Sequence, residues 1–320
     1  MELLEVLQGK SISDLNKLQT VYNVTGNYVS KQILANTLAE AIKKQYTLAL
    51  EMISNDSAED LHYLIEEGRI YYEDILPENS DDFMALYDAC ILDGDLEEGT
   101  YTIFEELRPQ MKSMSSSMEL TAYLENKRDK YEILNNYKNA VLNFQGAISV
   151  ADYMDIVDRF ENLALLGLTR NDVMEYLCRR QAMYNDFQFV DGYMVNNMAT
   201  ALDDEKLRDW LISLTNKVDD TWTKDDLLNY NDEDYYEDNP EINELKAYIR
   251  KQIIDDEDII DCLVFDTIQS YRKEMERGKS AMNYFVDAAD LSCVDFRPSL
   301  ELSSKLTSAL NTIDRWIVAS

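Results

Sequence analysis

The sequence predicts a mainly α, multi-helical protein with one or two small β-hairpins. Glycine and proline, the residues that most often interrupt helices, number only 9 and 4 in 320 residues. Apolar residues recur at helical spacing in most segments, as Leu34, Leu38 and Ile42 do. The hydrophobic fraction of 46% is high enough to build cores despite a net charge of −32.

The first fifty residues predict a helical hairpin. Ser11 or Ser13 caps the first helix, Gly26 breaks it, and Ser30 caps the second. The segment carries five lysines and four acids, a net charge of +1, whereas the remaining 270 residues carry −33. Because charge changes so sharply here, we predict a separate domain at residues 1–50.

The clearest order of elements lies in residues 119–200. A helix ends at Gly146, Ile148 is extended, helices follow at 150–160 and 170–183, and a hairpin turns at Asp191-Gly192. This is the winged-helix order, so we predict a winged-helix-like domain here, with a plain helical bundle carrying one hairpin as the alternative. Two domains flank it: a helical, degenerate winged-helix-like domain at 51–118 and a helical domain at 201–320.

Part of the hairpin resembles a known nucleic-acid-binding module. Residues 11–44 resemble the N-terminal helical module of Rho termination factor and, more loosely, the SAP module. They share a Leu-x-x-Leu helix, the turn Gly-Asn-Tyr-Val-Ser, and a second helix that opens Lys-x-x-Leu-x-x-x-Leu. In such modules the second helix and the preceding loop face nucleic acid; the matching residues are Tyr28, Lys31, Lys43 and Lys44. The alternative is a hairpin that packs onto the next domain.

The order of segments is similar to that of a group of bacterial cytosolic proteins with a Rho-N-like hairpin and winged-helix-like segments. Members of that group often end in a zinc-binding SEC-C tail. The sequence Asn-Thr-Ile-Asp-Arg-Trp at 311–316 partly matches the motif that precedes this tail. The Cys-rich tail itself is not present in this sequence, so the resemblance implies no zinc site here.

The third helix of the winged-helix-like segment carries Arg170, Arg179 and Arg180, and in DNA-binding relatives this helix enters the major groove. The nearby acids offset this charge; they are Asp172, Glu175 and Asp186. The wing itself contains no base. Because binding to duplex DNA depends on positive charge, we favour protein binding for this segment.

Residues 225–241, DDLLNYNDEDYYEDNPE, combine acids with tyrosines. A calcium loop would need Gly at its sixth position, where the two best registers place Asp234 and Glu237. We therefore predict an ordered acidic connector without a metal site. The alternative is a docking segment for a basic partner, whose residues would be Asp232, Glu233, Asp234, Tyr235, Tyr236, Glu237 and Asp238.

Few residues in the chain are suited to catalysis. His62 is the one histidine, and the four cysteines lie far apart, with no Cys-x-x-Cys pair. No phosphate-binding loop or His-Glu-x-x-His motif is present. We predict no catalytic, cofactor or metal site, and we expect the cysteines to be buried, reduced thiols.

These observations predict a non-enzymatic cytoplasmic regulatory or adaptor protein. Its partner would be a protein with a basic surface, with nucleic acid contacted through residues 1–50. No leader pattern and no long apolar run is present, so we expect no membrane association. The alternative is an acidic mimic of nucleic acid, of the phage or mobile-element type, that inhibits a DNA-binding protein. Against the mimic, many acids lie on helix faces opposite apolar stripes, as ordinary solvated acids do.

Overall fold

The computed structural model describes residues 2–28, 30–95, 98–233, 235–274, 279–313 and 316. The chain divides into two compact units, Met1–Asn135 with Glu161–Asp186, and Asn136–Phe160 with Phe187–Ser320. Within the described residues each unit is mainly α, as predicted, and contains a small three-stranded antiparallel sheet in place of the predicted hairpins. None of the described helices has both the length and the apolar character that crossing a membrane requires.

The first unit begins with four helices: α1 (Leu3–Gly9), α2 (Ile12–Val21), α3 (Lys31–Gln45) and α4 (Thr47–Leu50). Ser11 caps α2 in a reciprocal capping box with Asp14, and Ser30 caps α3. The predicted hairpin of α2 and α3 is therefore present. It belongs to the larger first unit and is not a separate domain, because α3 packs against α1 and α2 packs against a helix near residue 180.

The next elements of the first unit are α5 (Asn55–Glu67), β1 (Arg69–Tyr71), α6 (Ser80–Asp88), β2 (Leu92–Asp95), β3 (Thr100–Ile103) and α7 (Arg108–Ser115). The strand order is β1-β3-β2, with Tyr101 of β3 opposite both Ile70 and Gly94. A helix, a strand, a second helix and two strands follow one another. The two predicted helices and the extended piece near 101–104 are present, and the degenerate winged-helix-like domain at 51–118 stays a prediction.

The elements from 118 to 196 are α8 (Met118–Gln145), β4 (Ala147–Ser149), α9 (Val150–Glu161), α10 (Arg170–Tyr184), β5 (Phe187–Val190) and β6 (Tyr193–Asn196). The predicted order of helices and strands is present, and the strand order is again first-third-second, β4-β6-β5. The winged-helix-like assignment itself stays a prediction. Asp191 and Gly192 both adopt positive φ, 49° and 86°, as a tight hairpin turn requires.

This segment nevertheless does not form one compact unit, as the predicted domain at 119–200 would. Helix α10 belongs to the first unit, where it packs against α2 and α6, whereas all three strands belong to the second unit. The β5–β6 hairpin is local in the chain, but the apolar face of α10 is covered by helices distant in sequence.

The rest of the second unit is helical, as predicted: α11 (Asp204–Ser213), α12 (Lys224–Leu228), α13 (Pro240–Gln252), α14 (Glu257–Lys273), α15 (Ala281–Leu291) and α16 (Leu300–Leu310). Helices α13 to α16 bury a common core that includes Ile249, Leu263, Phe285 and Leu306. Thr223 caps α12, and Asn239 with Pro240 starts α13.

Trp316 anchors the second unit. Its side chain is 1% exposed, and its indole Nε1 donates a hydrogen bond to the carbonyl of Asn143 (2.9 Å). Its backbone N–H donates to the carbonyl of Arg272 (3.1 Å). Gly146, at φ 76°, lies so close to the indole that a Cβ there would be 2.6 Å from the ring. Trp316 thus joins the end of α8 to α14. Asp314 and Arg315 of the same motif lie outside the described residues.

A turn at residues 50–54 ties the first unit together. The Arg179 guanidinium of α10 lies with Nη1 3.5 Å from Glu51 Oε2, and both side chains are almost fully buried. Arg179 Nε also donates to the carbonyl of Val21 (3.2 Å), and Arg128 Nε donates to the carbonyl of Leu50 (2.9 Å). These bonds join α2, the turn, α8 and α10, so buried arginines fix the packing of this unit.

Asp82 of α6 holds the same turn from a second side. Its Oδ2 accepts a hydrogen bond from the Ser54 N–H (2.7 Å), and its Oδ1 accepts one from the Tyr184 hydroxyl of α10. The carboxylate is 9% exposed. The turn therefore receives buried polar partners from α6, α8 and α10, which satisfies groups that would otherwise be buried without hydrogen bonds.

Removing Arg179 leaves the Glu51 carboxylate buried without its counter-charge. We expect Arg179→Ala to lower the free energy of unfolding by about 3–5 kcal/mol, measured by urea denaturation followed by far-UV circular dichroism. Arg170→Ala is the matched control, because Arg170 is an exposed arginine on the same helix, and its effect should stay below about 1 kcal/mol. Equal losses in the two variants would contradict a structural role for the buried pair.

The loss of stability in the Arg179→Ala variant should also depend on pH. Burial raises the pKa of Glu51, and the charge of Arg179 opposes that shift. A raised carboxyl pKa contributes stability below the unfolded-state value, and this contribution is lost as pH rises through the folded-state value. Without Arg179 the folded-state pKa rises further, so we expect Arg179→Ala to cost more stability at pH 7 than at pH 5. Adding Glu51→Gln should remove this difference; a pH-independent loss in Arg179→Ala alone would contradict it.

Candidate interaction surfaces

The four nucleic-acid contacts that the Rho-like resemblance implies differ in their exposure and in their bonding partners. The Tyr28 hydroxyl donates to the carbonyl of Thr25 (3.3 Å), and the ring is half-buried. Lys43 forms an ion pair with Glu40 (3.0 Å), Lys31 is half-buried, and Lys44 is exposed. Nucleic-acid contact through these residues stays a prediction, with Lys44 as its most accessible cation.

The arginines of α10 do not form a shared basic surface. Arg170 is exposed, but Arg179 is 2% exposed and bonded to Glu51 and Val21. Arg180 lies 3.5 Å from the centre of the Tyr184 ring and pairs with Asp186 (3.0 Å). The prediction of Arg179 as a nucleic-acid contact was therefore wrong, because its guanidinium is buried and cannot reach a phosphate group.

The described residues of the acidic run at 225–241 are bonded to other parts of the second unit. The carbonyls of Glu233 and Tyr235 accept hydrogen bonds from Gln269 Nε2 (3.0 Å) and Arg272 Nη1 (3.1 Å), two buried side chains of α14. The buried Tyr230 hydroxyl donates to Glu237. Burial and this carboxylate hold the pKa of Tyr230 far above its usual value. The run is therefore fixed to its own unit by its backbone.

Its predicted docking residues are only partly available. Asp232, Glu233 and Asp238 are exposed, whereas Tyr235, Tyr236 and Glu237 are half-buried. The Tyr235 ring packs edge-on against Tyr230, and Lys246 lies over the Tyr236 ring. Asp234 lies outside the described residues. Among the side chains that the structure describes, no group of three or more His, Cys, Asp or Glu has the arrangement of a metal site.

A more acidic region lies in the first unit and was missed by the comparison of residues 1–50 with the rest. Residues 55–107, the acidic segment, contain 17 acids and a single base, Arg69. Of the 16 acids whose surroundings the structure describes, twelve are exposed. Because the neutral hairpin belongs to this same unit, the unit as a whole carries 30 acids and 14 bases. A charge count over each predicted domain would have found the segment.

Aromatic and apolar side chains interrupt the acids of this segment. The rings of Tyr72 and Tyr101 pack 4.5 Å apart, and Tyr87 joins them at 6.2 Å from Tyr101. Gly94 allows this approach, since a Cβ there would be 3.1 Å from the Tyr87 ring. Tyr87 is 37% exposed and Met84 is 50% exposed. The surface thus combines carboxylates with aromatic and thioether groups. Tyrosine and methionine are enriched in protein interfaces, whereas carboxylates belong to the polar rim of such interfaces.

A groove of about 580 Å³ lies between α5, α7 and α8. Its floor is apolar, formed by the buried side chains of Leu61, Ile65, Met114 and Leu124. Its rim is polar and includes His62, whose Nδ1 lies 2.7 Å from the Ser115 hydroxyl. Nucleophilic catalysis by such a pair would also need a group that orients the imidazole and donors for an oxyanion. The shape and lining suit binding.

The cysteines differ from the prediction of four buried thiols. Cys90 is buried, and burial raises the pKa of its thiol to about 12. Cys178 is half-buried, and Cys262 and Cys293 are exposed. The prediction was wrong for the last two, because an apolar neighbour in the sequence does not bury a side chain: Cys262 lies on an exposed face of α14, and Cys293 lies in the turn after α15.

Comparison of the chain with protein-family models, curated proteins and solved structures finds no match. The surfaces of the protein are therefore the guide to its function.

Proposed function

We propose that this protein is a non-enzymatic regulatory or adaptor protein of the cytoplasm that binds a protein partner through a basic surface of that partner. The acidic segment, 55–107, is the main support for this proposal, because it contains 17 acids and a single base. The guanidinium of that base, Arg69, lies 5.3 Å from the centre of the Tyr71 ring. A surface of this charge attracts cationic proteins and repels nucleic acid at long range.

The acidic segment is built on ordered elements, which favours a specific partner over simple solvation. Phe83 and Leu86 of α6 are fully buried, and Asp82 binds the Ser54 N–H. The Tyr22 hydroxyl of the first unit donates to the carbonyl of Ala89 (2.6 Å). The exposed carboxylates therefore project from fixed backbone positions, around aromatic anchors such as Tyr87.

A second candidate function is an acidic mimic of nucleic acid that inhibits a DNA-binding protein. The same observation favours it, because a mimic needs a high density of carboxylates on rigid elements. In this case the basic surface of the partner would be its DNA site. Competition separates the two functions, since duplex DNA displaces a mimic from its partner and leaves an adaptor bound.

Charge reversal tests the proposal. We expect the intact chain to capture basic proteins from a lysate of its source organism and to release them at high salt. The triple variant Glu73→Lys, Glu78→Lys and Asp88→Lys should lose this capture. The matched control, Asp232→Lys, Glu233→Lys and Asp238→Lys, makes the same charge change on the connector of the second unit and should retain it. Both variants are first compared with the wild type by circular dichroism.

Two results would contradict the proposal. The captured proteins could lack basic surfaces, or the first variant could capture the same proteins as the wild type. Loss of capture in the control alone would instead assign docking to the connector at 232–238.

Nucleic-acid contact is the secondary part of the proposal, supported by the five lysines of residues 1–50. We expect weak binding of single-stranded RNA by the intact chain at low salt, measured by fluorescence anisotropy, and its loss in Lys43→Glu with Lys44→Glu. Lys112→Glu with Lys130→Glu is the matched control. No binding by the intact chain removes this part of the proposal, and binding that survives the first variant places the contact elsewhere.

A further inference from the structure

The groove in the first unit has a directional shape. On α5 it is lined by Ala58, His62 and Ile65, at spacings of four and three residues. On α8 it is lined by Thr121, Leu124 and Arg128, at spacings of three and four. These spacings place each set on one face of its helix. Each set therefore spans about two turns of its own helix, or about 10 Å.

An apolar floor of this shape suits side chains that project from one face of a helix. Recognition of an amphipathic helix uses anchors about one turn apart that enter a hydrophobic groove. The floor residues Leu61 and Leu124 are almost fully buried by the fold, so their position does not depend on an occupant. A volume of about 580 Å³ lies in the range of preformed ligand sites.

The charges around the groove determine what kind of helix fits. Glu59 and Glu125 line it and are exposed, and α5 carries five acids and no base. Arg128, also at the groove, is 8% exposed and its Nε is bonded to the carbonyl of Leu50. A second copy of this chain would bring more negative charge to the rim, since each chain carries −32. Charge complementarity therefore favours a cationic occupant.

We propose that this groove binds a basic amphipathic helix of the partner, with apolar side chains on the floor and lysines or arginines paired with Glu59 and Glu125. The inference rests on the proposed function and gives its partner a defined recognition element. Aliphatic side chains would fill the space between α5 and α8, and the cationic side chains would remain at the exposed rim.

A synthetic amphipathic helix of leucine and lysine serves as the probe, with binding to the intact chain measured by calorimetry. Thr121→Trp places a bulky ring in the groove from an exposed position and should weaken binding by about tenfold or more. Glu59→Lys with Glu125→Lys should do the same. The control Glu67→Lys with Glu119→Lys changes the same charge on the same two helices, outside the residues that line the groove, and should have a much smaller effect.

Two further measurements locate the peptide. A peptide in which serines replace the leucines keeps the same charge and should lose most of the affinity. Hydrogen exchange should slow in α5 and at the start of α8 when the original peptide binds.

The outcomes distinguish this inference from the proposed function. If Thr121→Trp has no effect and both charge-reversed pairs weaken binding equally, the peptide binds the acidic surface without entering the groove; the inference is then wrong and the proposed function stands. If the intact chain binds neither the peptide nor basic proteins, both are wrong. Binding of an uncharged apolar dye in the groove, without binding of the peptide, would assign the groove to a small apolar ligand and overturn the inference.

Discussion

The buried pair of Arg179 and Glu51 is the interaction on which the first unit depends. Arg179 lies on α10. Its partner Glu51 directly follows α4, and its partner Val21 is the last residue of α2. Removing two charges from water is costly, and further hydrogen bonds offset part of that cost. The Tyr123 hydroxyl donates one of them, to Glu51 Oε1 (3.3 Å). This pair explains why the N-terminal hairpin is part of a larger unit.

The same use of arginine shapes the surface. Arg128, Arg179 and Arg272 are each less than 9% exposed, and each donates a hydrogen bond to a backbone carbonyl of its own unit. Basic groups thus stabilise the interior, while twelve carboxylates of the acidic segment face solvent. The net charge at the surface is therefore more negative than the net charge of the whole sequence. This charge supports the proposal of a partner with a basic surface.

Local signals in the sequence predicted much of the fold. Ser30 and Thr169 cap their helices, and Asp191-Gly192 turns its hairpin, because these signals act within a few residues. The limits of the compact units were not predicted, since they depend on contacts such as the one between α10 and α2. Burial of Arg179 did leave a signal: it lies three residues after Tyr176 and four before Met183, both buried on the same face.

The candidate surfaces were harder to predict than the helices. The acidic segment was readable from composition but required a count over each predicted domain. The groove could not be found from sequence, because α5, α7 and α8 each supply only part of its lining. The apolar residues of the groove have the same spacing as those of any helix that packs on a hydrophobic core. Periodicity alone therefore does not distinguish residues that line a groove from residues of the core.

Exchange of the arginine Nε–H protons, measured by nitrogen-15 NMR on the intact chain, tests the central claim that Arg179 of α10 is a buried structural residue. Arg179 should give a slowly exchanging signal near neutral pH, because its Nε donates to the buried carbonyl of Val21. The exposed Arg170 should exchange rapidly, and addition of duplex DNA should leave the Arg179 signal unchanged. Rapid exchange of Arg179, together with a shift of its signal when DNA is added, would contradict the account.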